Sequence, residues 1–398
     1  MQSRPGDFSC NFSCSLYNKG KKLFLGVRDM ITKLDRYRGC LLGMAAGDAL
    51  GRPVEKKTYE EIRESYGLDG LRGYDMMNGK AEVTAYTQIA AFTCNGLLLA
   101  LTQGRSQGLT RYLTLGLTEW ATSQRYHRYP QKPKTWLSHM DSLRGRFCFD
   151  HRLPDTVARG AFGSVGRPAN QFSSPATLTA AIASGLYYDP ARMPREDIGK
   201  LSAQSVALTQ GDNLAVLSGA VLGYLIAFIA SEPGKSLAQQ VTDAAKAVSA
   251  QFAAFPEAAK LEKLVAMVVQ KASAPNMPPQ KVMEQMDCRE AHTVLLGGIF
   301  SALIAQGDFD TALITAVNHS GCSAGTAAVA GAILGAYLGE KALPEFYLDG
   351  LEAAALLAQI AKDLVQAGSG HKLQIFDDDW DKKYIQGEPV EEHGWAEA

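Results

Sequence analysis

The chain has 398 residues, 46% of them hydrophobic, and its 40 basic and 41 acidic residues leave a formal net charge of −1. It is long and apolar enough to bury a large core, and its balanced charge creates no field that would draw a nucleic acid or an anionic membrane. Seven cysteines, at 10, 14, 40, 94, 148, 288 and 322, are too scattered for a disulfide framework in a chain of this length, and they fit a reducing cytoplasm.

In chain order, residues 1–29 lack both the apolar core of a secretory signal and a helical period. They are expected to be a disordered or mis-assigned leader, with the true start at Met30. Cys10 and Cys14 in that leader have no second Cys or His pair with which to hold zinc. Apolar residues at helical spacing then mark segments 36–50, 87–103, 109–123, 175–187, 213–231, 236–254, 256–272, 290–306, 308–318, 323–338 and 350–367. Ser236 and Asp308 stand where N-caps belong, Pro256 suits a first helical turn and Gly307 separates two helices. Strand alternation is hard to find, so the expected fold is all-α, one helical body over residues 30–367.

Residues 124–174 read as a long decorated connection, and Tyr126-His127-Arg128-Tyr129 within it as a solvated face rather than a nucleic-acid patch. The apolar run from Leu214 to Ala230 just reaches the length of a membrane span. Ser218, Gly219 and Gly223 inside it fit a close-packed central helix better. Residues 368–398 form a polar acidic tail. Asp377, Asp379, Asp381 and Glu388 fall at calcium-loop positions, but Lys382 occupies the place where that loop requires glycine, so no calcium site is expected.

Three stretches carry the chemistry. The first runs from Gly39 through Gly43, Gly47-Asp48-Ala49-Leu50-Gly51 and on to Glu55; the second is Thr84-Ala85-Tyr86-Thr87-Gln88 before an apolar helix. The third, Ser320-Gly321-Cys322-Ser323-Ala324-Gly325, leads into an Ala- and Gly-rich helix. With looser stretches at Pro168 to Leu186 and at Thr209-Gln210, these segments resemble, in order and from about residue 35 to 340, the ADP-ribosylglycohydrolase family. Members of that family cut ADP-ribose adducts with bound divalent metal. The resemblance implies an orthogonal multi-helix bundle. It also implies that the second segment would read Thr-Asp-Asp-Thr-Gln and the third Gly-Gly-Asp-Thr-Asp-Thr, so that Ala85, Tyr86, Cys322 and Ala324 replace four metal-binding aspartates. Thr179-Ala180 replace a Met-Arg pair, and Gln210 a histidine.

Hard divalent cations need charged oxygen ligands. Each unit charge at ~4 Å is worth roughly 4 kcal/mol at an effective dielectric of ~20, so four lost carboxylates remove the main attraction. Glu55, which aligns with a family acid, and Thr84 are too few to hold the Mg²⁺ or Mn²⁺ centre of the family, and no cofactor is expected. Asp48 beside its glycines is expected to cap or pack, and Tyr86 to fill the former metal cavity. The expected function is a non-catalytic binding or regulatory module, with ADP-ribose or an ADP-ribosylated protein as ligand. Its degenerate pocket comprises Asp48, Glu55, Thr84, Ala85, Tyr86, Thr87, Ser320, Gly321, Cys322, Ser323, Ala324 and Gly325, and helix-start amides near Gly321 and Gly325 are free for a phosphate. Two alternatives stay open. One is a hydrolase with new chemistry, either Cys322 as a helix-activated nucleophile with His319 or a soft metal on Cys322, His319 and Glu55. The other is a purely structural or protein-interaction role. Neither nucleic acid nor membrane is expected as a partner.

Overall fold

Helix α1, Lys33–Gly51, opens on a reciprocal cap: the Thr32 hydroxyl accepts from the Asp35 amide at 3.1 Å, and the Asp35 carboxylate accepts from the Thr32 amide at 3.1 Å. The glycines of the first motif fall every four residues along it, on one face. That face lies against α8, Ser323–Leu338. In the computed structural model, which describes residues 31–124, 135–145, 147–274, 276–368 and 378–389, a Cβ on Gly39, Gly43 or Gly47 would come within 2.3, 2.4 and 2.0 Å of the carbonyl oxygens of Gly335, Gly331 and Ala327. One on Gly51 would meet Ala324 at 2.4 Å. The two helices therefore run antiparallel with their backbones touching, and no side chain larger than hydrogen fits along the seam. This packing fixes the register that sets the C-terminal end of α1 beside the first turn of α8.

The remaining helices wrap this pair. α2 (Ala85–Thr102) packs on α3 (Thr110–Ser123), on α4 (Ala180–Tyr187) and on α9 (Ala354–Gly368). α5 (Arg195–Ala207) lies along α6 (Asn213–Ser231), and α7 (Ala291–Ile304) along α8. Among the described residues there is no strand, only isolated bridges such as Met77 with Lys80, so the fold is all-α as expected. Ser236, Asp308 and Asp212 accept from backbone amides as N-caps, and Pro256 opens its helix. α6 is apolar enough and long enough to cross a membrane, but 89% of its most apolar window is buried by the other helices.

Sequence periodicity misses α5 because Gly199, Ser202, Ala203 and Ser205 share its buried face with Ile198, Leu201 and Val206 and dilute the hydrophobic contrast. It misses Tyr59–Tyr66 because that helix buries only Ile62. The expectation of a decorated connection over 124–174 is corrected. Two 3₁₀ turns, Trp136–His139 and Asp141–Leu143, and a helix, Arg152–Ala158, put Trp136, Leu137, Leu143 and Leu153 into the core. Residues 126–129 lie outside the described residues, as do Cys10, Cys14 and Asp377. Past Gly368 the chain is described again from Asp378, where Trp380 and Tyr384 are buried and the Lys383 ammonium meets the Asp363 carboxylate at 2.6 Å. Asp379 and Asp381 sit on a four-residue helix there and form no calcium loop.

Candidate functional site

Where α1 ends, the starts of α2 and α8 converge. Asp48, fully buried in the last turn of α1, holds the start of α2 with both carboxylate oxygens. One accepts from the Thr84 hydroxyl at 2.6 Å, and the other from the Thr84 amide at 2.8 Å, the Thr87 amide at 3.1 Å and the Thr87 hydroxyl at 2.6 Å. Burial raises its pKa, against the lowering effect of these hydrogen bonds. Asp48 is thus an N-cap supplied from another helix. The Ala85 amide donates to the Phe147 carbonyl at 3.1 Å, the Tyr86 amide to the Thr84 hydroxyl at 3.3 Å and the Gln88 amide to the Thr84 carbonyl at 3.1 Å. Every early amide of α2 is thereby used.

Glu55 follows the short 3₁₀ turn Arg52–Val54 and reaches across the same junction. Its carboxylate accepts from the Ala324 amide at 2.7 Å and from the Tyr86 hydroxyl at 3.1 Å. Burial is the main cause that pushes its pKa up to about 7, and the two hydrogen bonds pull it back in part. The Tyr86 ring packs against the start of α8, where a Cβ on Gly325 would meet its Cζ at 2.7 Å. Thr179, at the start of α4, donates to the Tyr86 carbonyl at 2.6 Å. Tyr86 is 5% exposed. The space beside Gly325 is filled by an aromatic ring and the Ala324 amide by a carboxylate, so the expected free helix-start amides are not available there, and that expectation is corrected. Ala85 and Ala324 are buried and carry no ligand atoms.

The third segment is held from two sides. Ser320 donates through its hydroxyl to Glu284 at 2.9 Å and accepts from the Tyr59 amide at 3.0 Å. Gly321, at φ +130°, lies where a Cβ would meet the Cys288 carbonyl at 2.7 Å, and its own carbonyl accepts from the Lys56 amide at 2.7 Å. The Cys322 amide donates to the Cys288 carbonyl at 2.7 Å. Burial, followed by the charge of Glu55, pushes the Cys322 thiol up, and burial pushes the His319 imidazole down. Both shifts favour the neutral forms, the reverse of a thiolate and imidazolium pair. The His319 ring bonds to the Ser320 carbonyl at 3.0 Å, and the Ser323 hydroxyl to the His319 carbonyl at 3.2 Å.

Both carboxylate oxygens of Glu55 are engaged at the junction between α2 and α8, and Asp48 is spent on the start of α2. Among the described residues no group of three or more His, Cys, Asp or Glu side chains is placed to hold a metal ion. Outside the junction lies a cleft of about 360 Å³, floored by Ala85, Tyr86 and Cys322 and walled by Lys56, Phe147 to Arg152, Ser174, Arg289 and Glu290. Arg152 grips Asp150 through two nitrogens, at 2.9 and 2.8 Å, and stacks on Phe172 at 4.6 Å. The sequence reading missed Lys56, Arg152 and Arg289. No motif marks them, because they come to the cleft from three separate parts of the chain, Arg152 from the start of a helix, Lys56 from a turn and Arg289 from a loop.

A family model described as ADP-ribosylglycohydrolase matches residues 29–374. Among curated proteins, an uncharacterized protein of Archaeoglobus fulgidus is 54% identical over 33 residues, which covers 8% of this chain and only 11% of that protein. Among solved structures, one titled "ADP-ribosylglycohydrolase-related protein complex" aligns with 84% of this chain and 99% of its own, at 19% identity and a TM-score of 0.49.

Proposed function

The chain belongs to the ADP-ribosylglycohydrolase family, and on that premise we propose that it is a non-catalytic member in which the metal position has become part of the core. One observation carries the reading: Tyr86 lies on Gly325 and shares the Glu55 carboxylate with the Ala324 amide. A cation at this junction would have to displace a packed ring, and it would find one carboxylate where hydrolysis of this kind needs several. The thiol alternative has less support, because Cys322 and His319 are both held neutral by burial. The ligand is assigned to the cleft above Tyr86, where Lys56, Arg152 and Arg289 stand beside Asp150 and Glu290, with Arg152 paired to Asp150 and Arg289 to Asp287. Guanidinium and ammonium groups of this kind suit a diphosphate, and ADP-ribose, free or attached to a protein, is the proposed ligand.

Calorimetry separates the parts of this reading. Titration with MnCl₂ or MgCl₂ is expected to give no saturable heat, and titration with ADP-ribose alone a saturable, metal-independent one. Divalent-ion affinity below the millimolar range, together with release of ADP-ribose from a modified protein, would overturn the non-catalytic reading. Metal-free protein that gives no heat with ADP-ribose would overturn the ligand and leave a structural role. The variant carrying aspartate at 85, 86, 322 and 324 together is expected to gain Mn²⁺ binding if removal of the Tyr86 ring reopens the junction.

A further inference from the structure

A cavity larger than the cleft above Tyr86 lies away from this junction. About 700 Å³ in volume, it opens at the other end of α2, between the loop 104–110 and α5. Tyr86 and Leu101 are fifteen residues apart on one helix, about 22 Å at the usual rise of ~1.5 Å per residue. The two openings share no lining residue. The walls are apolar, built from Leu109, Met193, Leu201 and Phe252 among others, and the volume lies within the range of roughly 300–1,000 Å³ typical of small-molecule sites.

The charged groups on these walls are of mostly one sign: Arg105, Arg192 and Lys200 against Asp197. Lys200 pairs with Asp197 at 2.9 Å across an exposed i,i+3 contact, a kind of pair that is cheaply broken. Arg105 is exposed and forms no ion pair among the described residues. Arg192 donates to the Tyr187 carbonyl at 3.0 Å and lies 4.0 Å from Asp189, and its Nε and Nη1 lack a hydrogen-bond partner. The nearby C-terminal end of α2 would oppose an anion, but its last carbonyls are already engaged: Leu98 by the Thr102 hydroxyl, and Leu99, Ala100 and Leu101 by the amides of Gln103, Arg105 and Gly104. An apolar chamber with surplus positive charge at its rim complements a ligand with an apolar body and one acidic head.

We propose that this cavity binds a small amphipathic anion, with its hydrocarbon or aromatic body between Leu109, Met193, Leu201 and Phe252 and its carboxylate or sulfonate at Arg105 and Lys200. The proposal is independent of the ADP-ribose reading, since it concerns the opposite end of α2.

The test uses the full-length protein and two probes, the fluorescent dye 8-anilinonaphthalene-1-sulfonate and laurate. The dye is expected to brighten saturably at one site and to be displaced by laurate at a concentration at least tenfold lower than by dodecanol, which has the same chain length and no charge. The double variant Arg105→Glu with Lys200→Glu is expected to weaken laurate at least tenfold, with an unchanged helical circular-dichroism spectrum, because both side chains are exposed. Arg159→Glu, on a separate cavity lined by Gln103, Arg111 and Phe162, is expected to leave binding as it was. Absence of saturable dye binding, equal competition by dodecanol, or equal loss in the Arg159 variant would each overturn the proposal.

Discussion

Glu55 has a hydrogen-bond donor at each oxygen and almost no water, and burial outweighs the donors, so that its carboxyl titrates near 7 rather than near 4.5. A carboxyl that holds its proton more tightly in the folded chain than in the unfolded one contributes stability that is complete below pH 4.5 and is lost as the pH rises through 7. The shift is worth about 3 kcal/mol across that window. Glu55→Gln removes the titration but keeps an acceptor for the Ala324 amide and a donor for the Tyr86 oxygen. Urea unfolding at pH 4.5 and pH 8 is therefore expected to show wild type losing about 3 kcal/mol more than the variant between the two conditions. Asp48, raised in the same direction, is present in both proteins, and its charge contributes to the Glu55 shift, so the comparison reads Glu55 in the presence of Asp48. Parallel pH profiles would mean that Glu55 is already ionised in the fold at no cost.

At the scale of elements, the contact of α1 with α8 decides where the junction lies. Gly47→Ala would drive a methyl group to 2.0 Å from the Ala327 carbonyl oxygen, and a backbone atom cannot give way as a flexible side chain does. Overpacking of this severity is expected to cost about 3 kcal/mol or more and to lower the melting temperature by several degrees. Gly73→Ala, where a Cβ meets nothing within 4 Å, is expected to stay within about 0.5 kcal/mol of wild type. Melting curves of the two variants, run side by side, check both expectations. If they melt together, the helices can separate freely, and the packing that sets Glu55 against Ala324 is looser than the backbone distances state. The four-residue glycine spacing of α1 was legible from the sequence as a family signature. Its physical meaning was not, since nothing in a single helix reveals which partner its glycines approach.

Across the whole molecule, the segment after Asp378 closes the far side of the body. Trp380 donates to the Thr102 hydroxyl at 3.0 Å, while Tyr384 and Lys383 both reach the Asp363 carboxylate at 2.6 Å, with Lys383 at 4% and Asp363 at 2% side-chain exposure. A chain truncated after Gly368 strips that carboxylate of its ammonium and phenol partners and uncovers Trp136, whose ring packs edge-on against Tyr384. Such a truncation is expected to cost about 3 to 5 kcal/mol, seen as a lower denaturation midpoint and faster proteolysis; unchanged stability would mean that the segment does not hold the body. Composition described this tail only as acidic and polar, because a few aromatic residues scattered among many charges give no periodic signal. By itself the sequence determined the all-α class, most of the helix positions and the absence of acids at residues 85, 86, 322 and 324, since helical spacing and residue identity are local facts. Only the tertiary structure decided what surrounds those positions, because the contacts of Tyr86 with Gly325 and of Glu55 with Ala324 join residues more than two hundred positions apart and depend on how closely two glycine-lined helices can approach.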